Sequence, residues 1–570
     1  MQILQLLAII LALPVSEASF LKVPVVKKRF NEDEVVSSLQ KPHFIVKNEN
    51  KLVKRNHPNA DLEMSVKFNQ LMYEAEIEIG SNRDIVKLLV DTGSSDMFVN
   101  EYNTEGCAHY RTQGESGGSD VDEGNNAIYE SSDEPNQCGM EHIKPKTEPT
   151  TATLTESGAP NKSSLINSRS TSYPRIDKII SPYSSNDQYM QKISDTIPDP
   201  NLCDNYGFFN YQNSTSLVNS SLQLNIKYGD GLEAVGSFVQ DTVFLNGVKI
   251  PNTMFGINFE GYRPSGVLGI GFKANQSPFQ HGEQTYSSFP YHLKELGITQ
   301  RVAYSFYAPY DSSSNTAITF GAYDKDGYLP SSGLTLLPIT DFTPSSKAGS
   351  GPYHLSITLN SISFTTPETS NELIATGNAA VILDTGFTSS SIPYYILNEI
   401  LAKFKFQYST QLSNYVISAS DIPKNDAYIS FNFQNAIIKM PIIDFTLPVI
   451  DVETLSDTGL RALSMKAAEQ DYFILGDDFL SNIFFVADLE AKQIAVGQVN
   501  PESPGTSMVV IENGIQDAVE STNWDQVYGK DGVTKLSLRS VDDPNELPNY
   551  DEDLSNKDIY YLGAGQPLGW

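Results

Sequence analysis

Polar and apolar residues alternate along Tyr73-Glu-Ala-Glu-Ile-Glu-Ile79, and a denser apolar run, Ile85-Val-Lys-Leu-Leu-Val90, follows it. A period of two sets one face against a core and the other in water, so both runs predict strands. Similar short runs recur at Leu222–Tyr228, Thr242–Leu245, Ala317–Phe320, Leu355–Phe364 and Ala427–Phe433. Helical periodicity is confined to short stretches such as Tyr395–Phe404, so the expected fold is mainly β. The pattern lapses over 101–202, which is acidic and rich in Ser, Asn and Thr, and again over 501–570. Such composition buries little apolar surface, and these segments are expected to be a polar insertion and an acidic, mobile tail.

Two of the apolar runs end in the same word. Asp91-Thr92-Gly93-Ser94-Ser95 follows Leu88-Leu89-Val90, and Asp384-Thr385-Gly386-Phe387-Thr388-Ser389 follows Ala380-Val381-Ile382-Leu383. Each copy is followed later by two apolar residues and a glycine, Val267-Leu268-Gly269 and Ile474-Leu475-Gly476. Aspartate and glycine are 178 residues apart in the first half and 92 in the second, and the excess of 86 is close to the length of the polar insertion. The halves therefore read as two copies of one architecture. A third Asp-Thr-Gly, Asp457-Thr458-Gly459, lacks an apolar strand before it and is expected to be a loop. Two carboxylates brought together across a pseudo-twofold axis cannot both ionise easily, so they share one proton, as an acid–base pair requires. A charged Asp at the end of an apolar run is costly unless hydrogen-bonded, which argues against a merely structural role for Asp91 and Asp384.

At the N-terminus an apolar run from Ile3 to Leu13, broken by Gln5, precedes Pro14 and Ser16-Glu17-Ala18. Residues 1–18 are expected to be a secretory signal peptide. That run is too short to cross a bilayer, and no later one reaches the roughly 20 apolar residues of a membrane helix. Residues 19–55 carry nine basic and four acidic side chains, a net +5, against a formal net charge of −30 for the whole chain. They end in the dibasic pair Lys54-Arg55 and are expected to be a propeptide that neutralises an acidic cleft until it is removed. The strongly negative balance repels phosphate backbones and excludes nucleic acid as a partner. Three cysteines, Cys107, Cys138 and Cys203, allow at most one internal disulfide and leave one thiol spare. No His/Cys cluster has zinc spacing and no acidic loop reads as a calcium site, so neither metal nor cofactor is expected. Asn161, Asn213, Asn219 and Asn275 begin glycosylation sequons, with Pro278 close behind the last. A serine hydrolase is not indicated, since no Gly-x-Ser-x-Gly signature occurs.

Over roughly residues 63–500 the chain resembles the pepsin-type aspartic proteases, and within them the fungal yapsin group. The resemblance rests on Asp91-Thr-Gly-Ser-Ser-Asp-Met-Phe-Val99, Tyr228-Gly-Asp-Gly231, Gly266-Val-Leu-Gly-Ile-Gly271, Thr319-Phe-Gly-Ala-Tyr-Asp324 and Ile474-Leu-Gly-Asp-Asp-Phe-Leu480 running into Val486-Ala-Asp-Leu489. It implies a bilobal β protein with pseudo-twofold related lobes, one over 56–330 carrying the insertion and one over 331–500, and a cleft between them. Asp91 and Asp384 would hold the attacking water, Thr92 and Thr385 would lock the two loops, and Gly93 and Gly386 would let backbone approach the carboxylates. Ser94 would hydrogen-bond Asp91. Tyr228, Gly229 and Asp230 match the flap that closes over substrate, and Asp230, with the acidic surround, suggests a preference for Lys or Arg beside the scissile bond. The insertion closed by Cys203-Asp-Asn-Tyr-Gly-Phe-Phe209 is the yapsin-like feature; it implies a Cys107–Cys203 disulfide, with Cys138 free or a competing partner. In that group the insert can be cut while the disulfide holds the two chains together.

The implied protein is a secreted endopeptidase active at acidic pH, a monomer placed outside the cell or in the cell wall. Its partners would be protein or peptide substrates, among them basic-site precursors or cell-surface proteins, and its own propeptide. Two departures matter. Phe387 stands where the family has a Ser or Thr supporting the second aspartate, with Thr388 as a substitute hydroxyl, and losing one such bond removes about 1.5–3 kcal/mol of support for the ionised form. The usual second-lobe disulfide is also impossible, because no cysteine follows Cys203. Phe387 motivates the alternative of a weakly active or inactive protease fold that binds peptides or cell-wall partners.

Overall fold

The computed structural model describes residues 20–28, 72–104, 107, 203–228 and 232–538, apart from short gaps at 262, 283, 310–315, 341–350, 410–411, 413, 424–426, 452–455 and 469, together with the backbone of 559–561. The signal segment, Lys54-Arg55, the body of the insertion with Cys138 and Asn161, and Gly229, Asp230 and Gly231 lie outside the described residues.

The fold is mainly β and bilobal. In the first lobe eight strands form one sheet, in the order 26–28, 72–79, 84–91, 266–269, 97–100, 248–258, 233–245, 218–227. Its counterpart in the second lobe runs 436–441, 428–433, 356–365, 372–383, 473–475, 391–393, 466–468. The repeat seen in the sequence is a repeat of strand pairing. Leu88–Asp91 pairs in parallel with Gly266–Gly269, placing Asp91 opposite Gly269, and Val381–Leu383 pairs in parallel with Phe473–Leu475. Each apolar partner strand also takes an antiparallel neighbour, Met97–Phe98 in one lobe and Ser391 in the other. Strands buried on both faces read as unbroken apolar runs rather than alternation, which explains Leu88-Leu89-Val90 and Ala380-Val381-Ile382-Leu383. The helix expected at 395–404 forms over Tyr394–Phe404 and buries Ile396, Leu397, Ile400, Leu401 and Phe404.

A third sheet of seven strands draws on both halves, with 21–24, 317–320 and 303–307 continuing into 483–488, 493–498, 335–338 and 519–520. Phe306 and Phe485 stack within it at 5.1 Å, and Arg301 donates to the buried carboxylate of Asp488 at 2.6 Å. Leu21–Pro24 forms an edge of this sheet against Ala317–Phe320, burying Leu21 and Val23, and 26–28 pairs with 72–74. Part of the basic N-terminal segment is thus built into two sheets.

Two expectations are corrected. The tail is built into the sheets as far as residue 538: Met508–Val510 pairs with Ala322–Asp324, 519–520 with 335–336, and Leu536–Leu538 with 375–377, while Ile511 and Leu536 are buried. These short additions hold through backbone hydrogen bonds and isolated apolar anchors, neither of which leaves a hydrophobic period in the sequence. The third Asp-Thr-Gly is not a loop either, since it lies in the strand Ser456–Leu463. Thr458 Oγ1 donates to Val449 O across the hairpin at 2.8 Å.

Candidate active site

Asp91 ends its strand and Asp384 immediately follows the other. Both are buried, at 5% and 4% exposure. The next residue of each loop crosses to the opposite lobe. Thr92 Oγ1 donates to Leu383 O at 2.8 Å and Thr385 Oγ1 donates to Val90 O at 2.7 Å. In return each hydroxyl oxygen accepts the other threonine's backbone N–H, both at 3.0 Å. Four reciprocal bonds therefore clamp the two loops together, with each hydroxyl used as donor and as acceptor. Glycine follows because the loops pass so close. A Cβ on Gly93 would lie 2.5 Å from Asp384 Oδ2, and one on Gly386 would lie 2.7 Å from Asp91 Oδ1.

The two carboxyls are supported differently. Asp91 accepts the Gly93 N–H at 2.7 Å and the Ser94 hydroxyl at 2.5 Å. Asp384 accepts the matching Gly386 N–H at 2.8 Å, but the residue in the place of Ser94 is Phe387. Burial, and next the charge of Asp91 together with a hydrogen bond shared with it, hold Asp384 well above the usual carboxylate range, against the weaker opposing pull of Gly386 N–H and Arg263. Phe387 supplies no hydroxyl; its ring is 4% exposed and packs with Ile382 and Ile474. Thr388 is buried. Asp457 repeats the local turn, with Gly459 N–H donating to Asp457 Oδ1 at 2.8 Å, but it is exposed and faces no second aspartate loop among the described residues. The turn is common to all three copies, whereas the pairing belongs to two.

The family model of eukaryotic aspartyl proteases matches residues 72–131 and 185–499. The chain belongs to this family. Among its relatives, Aspartic proteinase 3 of Saccharomyces cerevisiae is 25% identical over 528 residues, covering 90% of this chain and 83% of that protein. Aspartic proteinase MKC7 of the same yeast is 25% identical over 465 residues, covering 80% and 70%. Aspartic proteinase yapsin-3, also from that yeast, is 27% identical over 336 residues, covering 57% and 64%. This aspartyl protease is accordingly an aspartic-type endopeptidase with yapsin-like relatives.

In this aspartyl protease Tyr228 sits at the end of the hairpin formed by 218–227 and 233–245, where its N–H donates to Leu232 O at 2.8 Å. The ring is 6% exposed, lies 6.4 Å from the Phe98 ring and belongs to a small buried cluster that also holds Leu89 and Val267. Cys107 and Cys203 are buried and bonded, with Cα atoms 5.7 Å apart. Asn213 and Asn219 are exposed. Asn275 does not fit a glycosylation site: it is 8% exposed, and its Nδ2 donates to Gly93 O at 2.7 Å. That side chain instead braces the Asp91 loop.

Sequence reasoning also passed over Asp96. Its carboxylate accepts the Tyr286 hydroxyl and the Ser277 N–H, both at 2.6 Å, and so ties the strand after the Asp91 loop to the turn after Gly269. Burial outweighs these two bonds and the charge of His281, raising its pKa to about 6. The only signal for it was its place inside the Asp91–Val99 motif.

Proposed function

We propose that Asp91 and Asp384 are the catalytic pair of this endopeptidase, acting on a water held between them. The observation that carries this reading is the reciprocal threonine clamp, which brings two buried carboxyls onto each other's loops. Asp384, with burial and a negative neighbour favouring its neutral form, keeps the shared proton and polarises the peptide carbonyl. Asp91, with two hydrogen bonds to its carboxylate, takes a proton from the water as it attacks. The tetrahedral species then collapses as the proton taken up by Asp91 passes to the leaving nitrogen, and because water and not a side chain attacks, no covalent intermediate forms. Tyr228, beside the flap's turn, would cover the substrate together with Gly229 and Asp230.

Acidic working conditions fit the same chemistry. Asp96 and Asp384 are both most easily accommodated when protonated, a cost that low pH relieves, while His354, held down to about 3 by burial, acts in the opposite sense. A preference for Lys or Arg beside the scissile bond rests on the net charge of −30 and on Asp230. Entry into the secretory pathway through residues 1–18, release of 19–55 at Lys54-Arg55, and an extracellular or cell-wall destination complete the proposal.

Cleavage of matched peptides with Lys/Arg or Ala at the scissile bond, from pH 3 to pH 7, tests it. The reading predicts activity favouring the acid side and at least about a tenfold higher kcat/KM on the basic peptides. Equal rates on both would remove the specificity. Failure of the folded, processed enzyme to bind a statine peptide more tightly than its parent peptide would remove the catalytic pair and leave the weakly active binding protein, which the apolar ring of Phe387 favours.

A further inference from the structure

The tyrosine beside the flap's turn rests on a cation. Arg263 is 1% exposed, and its guanidinium carbon lies 4.1 Å from the centroid of the Tyr228 ring. The loop that carries it is tied to the flap's own return strand. Asn258 Oδ1 accepts the N–H of Val235, three residues beyond Leu232, at 3.0 Å and that of Gly261 at 2.9 Å. Phe259 N–H donates to Val235 O at 2.9 Å. Asn258 Nδ2 in turn donates to Asn100 Oδ1 at 2.9 Å, and Asn100 Nδ2 donates to Arg263 O at 2.9 Å and Pro264 O at 3.0 Å. A Cβ on Gly261 would lie 2.1 Å from Glu233 O, so the loop is pressed against the strand leaving the flap. The Arg263 backbone is therefore held to Asn100 of the sheet strand 97–100, its loop is also bonded to the hairpin's return strand beside the turn, and the planar face of the guanidinium meets Tyr228 at that turn. Its charge is also felt by Asp384, which puts it within electrostatic reach of the catalytic pair.

We propose that Arg263 is a positioning residue for the flap, stacking on Tyr228 to hold the hairpin closed over the catalytic pair before substrate arrives. This rests on the reading of Tyr228 as the flap tyrosine. A planar cation on an aromatic face, shielded from water, contributes enough to change an open–closed ratio roughly 3- to 30-fold. When the binding-competent state is partly depopulated, apparent affinity falls by that fraction while the bound complex reacts as before. Arg263→Met keeps length and apolar bulk, and Arg263→Lys keeps the charge without the plane.

The test is a double-mutant cycle with Tyr228→Leu, combined with hydrogen exchange of the hairpin. At pH 4, where Asp384 keeps its proton with or without the Arg263 charge, the expected result is a KM raised roughly 3- to 30-fold in Arg263→Met with kcat within about twofold, partial recovery in Arg263→Lys, and no further KM effect of Arg263→Met in the Tyr228→Leu background. Exchange should quicken in residues 224–236 and stay unchanged in the second lobe. Equal KM effects in both backgrounds, or a kcat loss at constant KM, would overturn the inference. Should Arg263→Met not fold, Arg263→Lys carries the same cycle. Hairpin exchange does not depend on catalysis, so unchanged protection refutes the role of Arg263 even if the wild type proves inactive, whereas an inactive enzyme with a loosened hairpin refutes only the catalytic reading.

Discussion

Replacing Asp96 with Asn should make the enzyme more tolerant of neutral pH. The folded-state pKa of Asp96 is about 6, against about 3.9 for an unfolded aspartate. Below about pH 4 both states hold the proton and the group has no effect on stability. Between these values the unfolded chain ionises first, so stability falls as pH rises, and above about pH 6 the full penalty applies. Two pH units at 1.36 kcal/mol each give about 3 kcal/mol. Asn cannot ionise, so the difference in unfolding free energy between variant and parent should be about 3 kcal/mol more favourable to the variant at pH 7 than at pH 4. A pH-independent loss accompanies it, because the amide oxygen alone must accept from both Tyr286 Oη and Ser277 N, each now 2.6 Å from the carboxylate. The assay is urea unfolding of parent and variant at both pH values. Asp384 titrates with the same sign and remains in both proteins, so the comparison isolates Asp96. An offset that does not change between pH 4 and pH 7 would refute the reasoning.

Phe387→Ser should lower the alkaline limb of the kcat/KM profile by about 1–2 pH units, the worth of one hydroxyl bond to the ionised form of Asp384. It should also destabilise the fold by about 3–5 kcal/mol through loss of the packed ring, seen as a lower melting temperature. Leu536→Asp should cost several kcal/mol, roughly 2–4, because it places a carboxylate at a 1% exposed site against the strand leading to Asp384. Val533→Asp, at 38% exposure, should change stability by less than about 0.5 kcal/mol. Asn275→Ala should leave Gly93 O without its donor and lower stability by about 1–3 kcal/mol, and mass analysis of the wild-type peptide should find no glycan at Asn275.

Elements whose sequence carries a period or a repeated word are legible in the sequence alone. The Asp91 and Asp384 strands stand out because burial on both faces forces unbroken apolar residues, and their partners at 267–269 and 474–476 because close packing there demands glycine. A Cβ on Gly476 would meet Phe387 O at 2.2 Å. Contacts made through backbone groups or single polar side chains leave no such mark. The packing of 508–538 on both lobes falls in this class, as do the bracing of Gly93 by Asn275 and the stack of Arg263 on Tyr228. The sequon at Asn275 shows the hazard, since a pattern of residue types says nothing about whether the side chain faces water. Asp457 shows the converse, where the local turn is reproduced and only long-range pairing separates it from Asp91 and Asp384.

The central claim is that two aspartates, one from each lobe, act as a unit. Rates of peptide cleavage at acidic pH by the wild type, Asp91→Asn, Asp384→Asn and the double variant, each shown folded by circular dichroism, test it most directly. The account predicts that each single substitution lowers kcat by at least about 10²- to 10⁴-fold and that the double variant is little worse than either single one. Substantial activity in either single variant, or losses that multiply in the double, would contradict it.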